Sequence, residues 1–354
     1  MGWWQVNADT LAGSRFVISP LAEATGALIT LARGTAAHPQ ERTWLDVHLP
    51  AFRVLLAGDP VAAALVQAGL SHRWVADVFS LPPTGNAAKD DVKDAAKDAV
   101  KDAVKDPAGD SAEEAFAAEA APIRAMPLDA ALADLSVALG GAVPDILIRP
   151  DLTERAYGLL HWSWAQTVAP DWQRRRRVLE ADIVARTAHL AHGGWSAALA
   201  GMRPGMGWLG DGRLRINCHD VPPREISGAR LFFVPVSQGG GWVAWDEPSR
   251  YAVMYPCAGV LADPAVEVPE ALRALLGPGR ARALVLLDSP KSTTQLVALT
   301  GQPLGSVGRH LKVLHAAGLL ARSRAGRSVL YYRTAAGDSL VEAQYRGFSK
   351  SIFD

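Results

Sequence analysis

Cysteine is nearly absent from this 354-residue chain, which holds only Cys218 and Cys257. That excludes a disulfide framework and fits a reducing compartment. Long hydrophobic runs are missing too, none approaching the roughly 20 apolar residues that cross a bilayer. The opening MGWWQVNADT has neither a basic nor an apolar leader segment, so no signal peptide is expected. There is no G-x-S-x-G, no Walker A motif and no G-x-G-x-x-G following a strand. These absences lead us to expect a cytoplasmic protein with no membrane association, no catalytic residues, no cofactor and no bound metal. Net charge is absent as well, 36 basic residues balancing 36 acidic ones.

Apolar residues make up 49% of the chain and charged residues 20%, as in ordinary packed proteins. The length exceeds the usual domain size of roughly 100–200 residues, so two domains are expected. The neutral balance conceals an asymmetry. From Glu270 to Asp354 there are 12 Lys+Arg against 5 Asp+Glu, which leaves 24 basic and 31 acidic residues before Glu270. A basic module on an acidic body is the distribution expected when one part meets an anion such as DNA. Tryptophan divides in the same way, all 11 lying at or before Trp245.

Helical patterning dominates the first half. Arg15–Ser19 reads as a short strand leading into a helix from Pro20 to Arg33, where proline suits the first turn. Helices are also expected over Trp44–Ala57, Val61–Ala68, Trp74–Ser80, Leu128–Leu139, Asp151–Trp164 and Pro170–His192. The Lys/Asp repeat of residues 88–106, inside a charged stretch of 83–125, reads as a solvated insertion or linker. After Gly193-Gly194 the period changes. Strands are expected at Arg213–Cys218, Ala229–Ser237, Gly241–Trp245 and Tyr251–Pro256, with a Gly239–Gly241 turn joining the second to the third. Residues 1–265 are thus expected to form an α+β regulatory or dimerisation domain with a small antiparallel sheet, ending in the linker Ala262–Pro269.

Residues 270–337 carry a different pattern. Ala271–Leu276 begins a helix, Gly277-Pro278-Gly279 interrupts it and Arg280–Leu287 continues as a second. Ser292-Thr293-Thr294-Gln295 fits a capping box that opens a short helix to Thr300. Pro303 starts a longer helix through Ala317, with Val307, Leu311 and Leu314 on one face and Gly318 as a suitable C-cap. Strands Leu319–Arg324 and Ser328–Arg333 meet at Ala325-Gly326-Arg327. The order is that of a winged helix-turn-helix, whose second helix enters the major groove while the hairpin lies near the backbone. Residues 338–354 are left as a tail.

VGRHLKVLHAAGLLARSRAGRSVLYYRT resembles the ArsR/SmtB group of dimeric winged-helix repressors. The points of similarity are H-L-x-x-L-x-x-A-G-L-[LV] at the end of the recognition helix and the hairpin ending Leu330-Tyr331-Tyr332-Arg333. The remainder bears a fainter similarity to the long N-terminal domain of larger members, which brings no established chemistry. The resemblance implies a homodimer on a roughly palindromic stretch of double-stranded DNA.

Base-edge readers are expected at Ser306, Arg309 and His310, with Gln302 and Lys312 close to phosphates. Thr293 and Thr294 at the first helix and Arg322, Arg324 and Arg327 on the wing complete the DNA-binding set. Where the family carries roughly S-Q-S-T-V-S, this chain has Pro303, Leu304, Gly305, Ser306, Val307 and Gly308. Two glycines offer no side-chain hydrogen bond, so readout is expected to lean on DNA shape and the wing. The family's metal-sensing Cys-x-Cys falls at Gln295–Leu299, which has no thiol, carboxylate or imidazole. His189 and His192 read as surface or packing residues, and Arg174–Arg177 as a solvated face. Cys218-His219-Asp220 does not suit a triad, because neighbours on a strand point to opposite faces. The tryptophan-rich large domain suggests a small apolar or aromatic effector, with Trp162, Trp164, Trp208, Trp245 and Tyr255 as candidate lining. Two other readings stay open: an architectural DNA-binding protein of weak sequence preference, and a small-molecule-processing enzyme fused to a winged helix.

Overall fold

The computed structural model describes residues 2–36, 39–71, 74–84, 109–199, 202–217, 222–238, 240–257, 268–287, 291–300, 302–325 and 328–348. The Lys/Asp repeat, Cys218-His219-Asp220 and the linker up to residue 267 lie outside them. The chain divides into two units: Met1–Leu179 with Leu199–Cys257, and Glu180–Ala198 with Ala258–Asp354. The second unit therefore takes in a helical stretch that the sequence pattern assigned to the first.

The first unit opens with β1 (Trp3–Gln5), α1 (Ala8–Ala12), β2 (Arg15–Phe16) and α2 (Pro20–Arg33). α2 starts where Ser19 accepts a hydrogen bond from the Ala22 N–H at 2.9 Å, and it stops at Gly34, whose φ of 63° suits glycine. Every residue from Pro20 to Leu31 is buried, so α2 is a core helix covered all round. Leu21, Ala24, Leu28 and Leu31 enter a cluster formed with helices, whereas Ala22 and Ile29 enter one formed with a sheet. The helices are α3 (Pro39–Gly58), α4 (Pro60–Gly69), α5 (Gly109–Arg124), α6 (Leu128–Leu139) and α7 (Leu152–Ser163). A π turn at Trp164–Val168 follows, and then α8 (Trp172–Leu199), whose helical dihedrals break at Gly194. Among the described residues no single helix is long and apolar enough to cross a membrane.

The strands are β3 (Gly207–Trp208), β4 (Arg213–Arg215), β5 (Arg224–Glu225), β6 (Arg230–Val236), β7 (Val243–Asp246) and β8 (Arg250–Pro256). With β1 and β2 they form two four-stranded sheets, β3-β4-β1-β5 and β2-β6-β8-β7. The unit is α+β, as expected, but the sheets are mixed rather than antiparallel. β6 pairs with β8 in parallel, from Arg230 opposite Arg250 to Val236 opposite Pro256, and β2 joins β6 in parallel. The cause is burial. Leu231–Val236 and Tyr251–Tyr255 are buried at every position, the mark of strands covered on both faces. They occupy the middle of the sheet, and the less buried β7 takes the edge, antiparallel to β8. The glycine turn after β6 therefore does not close a hairpin, because β8 lies between β6 and β7.

One arginine of the Arg174–Arg177 run departs from a solvated face. Arg175 is only 1% exposed, as is its partner Glu23 on α2. Arg175 Nη1 donates to Glu23 Oε2 (3.1 Å), Ser237 Oγ (2.8 Å) and Gln238 Oε1 (3.3 Å), and Nη2 donates to the Thr167 carbonyl (3.1 Å). The Ser237 N–H donates to Glu23 Oε1 at 2.6 Å. The pair thus fastens α2, the start of α8 and the end of β6 together.

The second unit contains α9 (Glu270–Leu276), α10 (Pro278–Leu286), β9 (Lys291–Ser292), α11 (Thr293–Thr300), α12 (Leu304–Ala316), β10 (Leu320–Ala325), β11 (Ser328–Arg333) and α13 (Ala335–Phe348). Gly277, at φ 78° and ψ 154°, separates α9 from α10. Leu272, Leu284, Leu296, Val307, Leu311, Leu314 and Leu320 share one core, and the strands lie in the order β10-β11-β9. Most of what the sequence left as a tail belongs to α13, whose Val341 enters this core. Asp338 of α13 pairs with Arg333 of β11 at 2.8 Å.

The first unit's polar interior generates two predictions. Arg175→Met leaves a buried carboxylate without its cation, so it is expected to lower stability by about 3–5 kcal/mol, and combining it with Glu23→Gln should recover much of that loss. Urea melts of the single and double variants measure this. Glu119 Oε2 accepts from Ser19 Oγ (2.7 Å) and the Leu21 N–H (3.0 Å), and burial pushes its carboxyl from 4.5 up to about 7. The folded state prefers the protonated form, so this contribution is full below about pH 4.5 and is lost as pH rises through about 7. Glu119→Gln keeps the acceptor and is expected to flatten the pH dependence of the urea midpoint across that window. An unchanged slope would refute the assignment.

Candidate nucleic-acid interface and ligand cavity

α12 is amphipathic in the simplest way. Val307, Leu311 and Leu314, four and three residues apart, are buried, which turns Leu304, Gly305, Arg309, Lys312, Val313 and His315 outward. No acidic residue lies in α12, and Pro303 at its N-cap provides no side-chain cap. Its first backbone N–H groups and its side chains therefore present positive potential together. Ser306 and Gln302 are half-buried at its start, and Thr293 is half-buried at the start of α11. Arg322 is exposed on β10 opposite Tyr331 of β11. The side chains of Thr294, Gln295 and Arg324, and Arg327 as a whole, lie outside the described residues.

Two features of α12 bear on what it can touch. His310, expected among the base readers, is half-buried. A Cβ placed on Gly279 of α10 would lie 2.4 Å from His310 Nε2, so this histidine is a packing contact between α10 and α12. Burial, then Arg280 and Arg309 nearby, lowers its pKa and favours a neutral ring. Gly305 and Gly308 differ from Gly279, since a methyl added to either meets nothing within 4 Å. Packing within the unit does not require them.

The first unit contains a cavity of about 730 Å³. Trp3 of β1, Trp74 and Asp77 from the loop after α4, Arg203, and Trp242 and Trp245 near the edge strand form much of its wall. Trp74 and Trp245 meet edge to face at 5.2 Å, and the Arg224 guanidinium lies 4.1 Å over the Trp245 ring while pairing with Glu247. The Trp74 indole N–H donates to Asp134 at 3.2 Å, and that of Trp242 donates to Ser80 at 2.7 Å. Burial and the neighbouring Asp134 push the Asp77 carboxyl up to about 7. Among the described residues no three His, Cys, Asp or Glu side chains gather as a metal site requires.

Of the five aromatic residues expected to line a pocket, Trp245 lines this one. Trp164 is 1% exposed, stacks on Phe116 at 5.2 Å and donates its indole N–H to Glu113. Trp162 packs on Phe52, and Tyr255 is buried edge-on to Phe16. Trp208 sits on β3 opposite Leu214. The lining residues come from separate stretches of chain, so no spacing announces them. The number of tryptophans was the one available signal.

No family model matches the chain, and no solved structure matches it. Over 93 residues it is 36% identical to the HTH-type transcriptional regulator NmtR of Mycobacterium tuberculosis (strain ATCC 25618 / H37Rv), an alignment spanning 25% of this chain and 78% of that protein. With a helix-turn-helix and wing in its second unit, this chain belongs to the HTH-type transcriptional regulators.

Proposed function

We propose that this chain is a regulator of the ArsR/SmtB type, a repressor that binds double-stranded DNA as a homodimer and answers to a small-molecule effector rather than a metal. α12 enters the major groove, and the β10–β11 wing lies against the backbone. The observation that carries this reading is the outer face of α12, with Arg309 and Lys312 exposed and no acidic residue on the helix. Charge of one sign beside an uncapped helix N-terminus is what a phosphate backbone selects. With His310 turned inward, Ser306 and Arg309 carry the base-edge contacts and Lys312 and Arg322 the phosphate contacts.

Fluorescence anisotropy on the chain's own upstream DNA and on a scrambled duplex, across a salt titration, tests the reading. Binding to the upstream DNA is expected to be at least about tenfold tighter, with affinity for both duplexes falling steeply with salt. Replacing Arg309 and Lys312 with alanine should weaken both and flatten the salt slope by roughly one for each phosphate no longer neutralised. Equal binding to both duplexes would favour the architectural reading, and no binding to either would remove DNA recognition.

The glycines give a sharper prediction. Gly308 costs α12 roughly 1 kcal/mol relative to alanine, and Gly305 in the first turn somewhat less. Gly305→Ala with Gly308→Ala is expected to raise the melting temperature while weakening DNA binding, because the added methyls stand where the helix meets the groove. A variant that is more stable and binds DNA equally well would place that face of α12 away from the DNA.

A further inference from the structure

The ligand class of the cavity is legible from its charge, and the inference rests on the regulatory reading above. Among the described residues three guanidinium groups, those of Arg33, Arg203 and Arg224, line the cavity against the carboxyl of Asp77. Arg224 already has Glu247 as a partner. Arg203 does not. Its Nη1 is buried and makes no hydrogen bond among the described residues, and no carboxylate among them forms an ion pair with it. Burial lowers its pKa. A buried guanidinium nitrogen without a partner is costly, and structures keep such groups satisfied. Asp77 forms no ion pair with Arg203, and the cation that acts on its carboxyl is Arg224.

We propose that this cavity binds a flat aromatic molecule carrying one carboxylate or comparable anionic group, the anion on Arg203 and the ring among Trp3, Trp74 and Trp242. The volume is within the range of roughly 300–1,000 Å³ usual for small-molecule sites, and apolar walls with few polar anchors are their usual lining. The planar guanidinium offers two parallel N–H donors to a carboxylate, which fixes the orientation of the ring as well as the charge. A cationic ligand is disfavoured by the excess of guanidinium groups, and a neutral one would leave Arg203 unpaired.

Isothermal titration of the full chain with benzoate, 2-naphthoate and indole-3-acetate, and with the neutral amide of each, tests the proposal. At least one acid is expected to bind saturably, with its amide at least about tenfold weaker. Arg203→Met should abolish that difference. Because Arg203 forms no ion pair with a carboxylate among the described residues, the variant is expected to melt no lower than the parent protein. The proposal is overturned if no acid binds, if acid and amide bind alike, or if the difference survives in Arg203→Met. Should that variant fail to fold, the acid–amide comparison in the parent protein still decides. The titration contains no DNA, so its failure leaves the regulatory reading to the anisotropy experiment, and a failure there leaves this result standing.

Discussion

The buried contact between Arg175 and Glu23 is the constraint around which the first unit is arranged. Both oxygens of the carboxylate are occupied, one by the Ser237 N–H and the other by the Ser237 hydroxyl and Arg175. A charge pair 1% exposed on each side tolerates little displacement, because any broken bond leaves a charge without water or a partner. The end of β6 is therefore fixed against α2. The same junction is tight sterically, since a Cβ on Gly26 of α2 would lie 2.7 Å from the Gln238 carbonyl oxygen. β8 takes its register from β6, and Trp242 and β7 take theirs from β8. The cavity wall that Trp242 and Trp245 provide is thus tied, through β8 and β6, to a salt bridge whose two residues are not part of the cavity lining.

Local chemistry made part of this fold legible. Ser19-Pro20 and Gly34 bound α2 by capping, Gly277-Pro278 separates α9 from α10, and Val307, Leu311 and Leu314 mark the inner face of α12. Each signal lies within a few residues of what it controls. The misreadings share the opposite property. Arg175 is an arginine among arginines, and only the distant Glu23 and Ser237 make its burial tolerable. The parallel pairing of β6 with β8 depends on what covers both faces of the sheet, and its local trace is the pair of unbroken apolar runs Leu231–Val236 and Tyr251–Tyr255. Asp338, read as the start of a tail, lies in the first turn of α13, where Arg333 and the core around Val341 receive it.

The candidate sites divide along the same line. Arg309 and Lys312 could be assigned outward from helical period alone, because their orientation follows from the residues that point in. His310 could not. Its ring packs against Gly279 across from it on α10, where a side chain in place of the glycine would collide with the imidazole. The cavity lies at the far end of this scale, assembled from separate segments of which several, though not all, carry tryptophan.

α12 combines an uncapped start with two glycines that nothing in its own unit requires, so its first two turns are the least stable part of the helix. Docking onto a groove would then order backbone as well as bury surface. Association of that kind has a calorimetric signature: a more negative heat capacity change than rigid docking of the same area, with favourable enthalpy set against an entropic loss. The affinity of such a module is expected to be sensitive to temperature, because warming acts first on the turns proposed to meet the DNA.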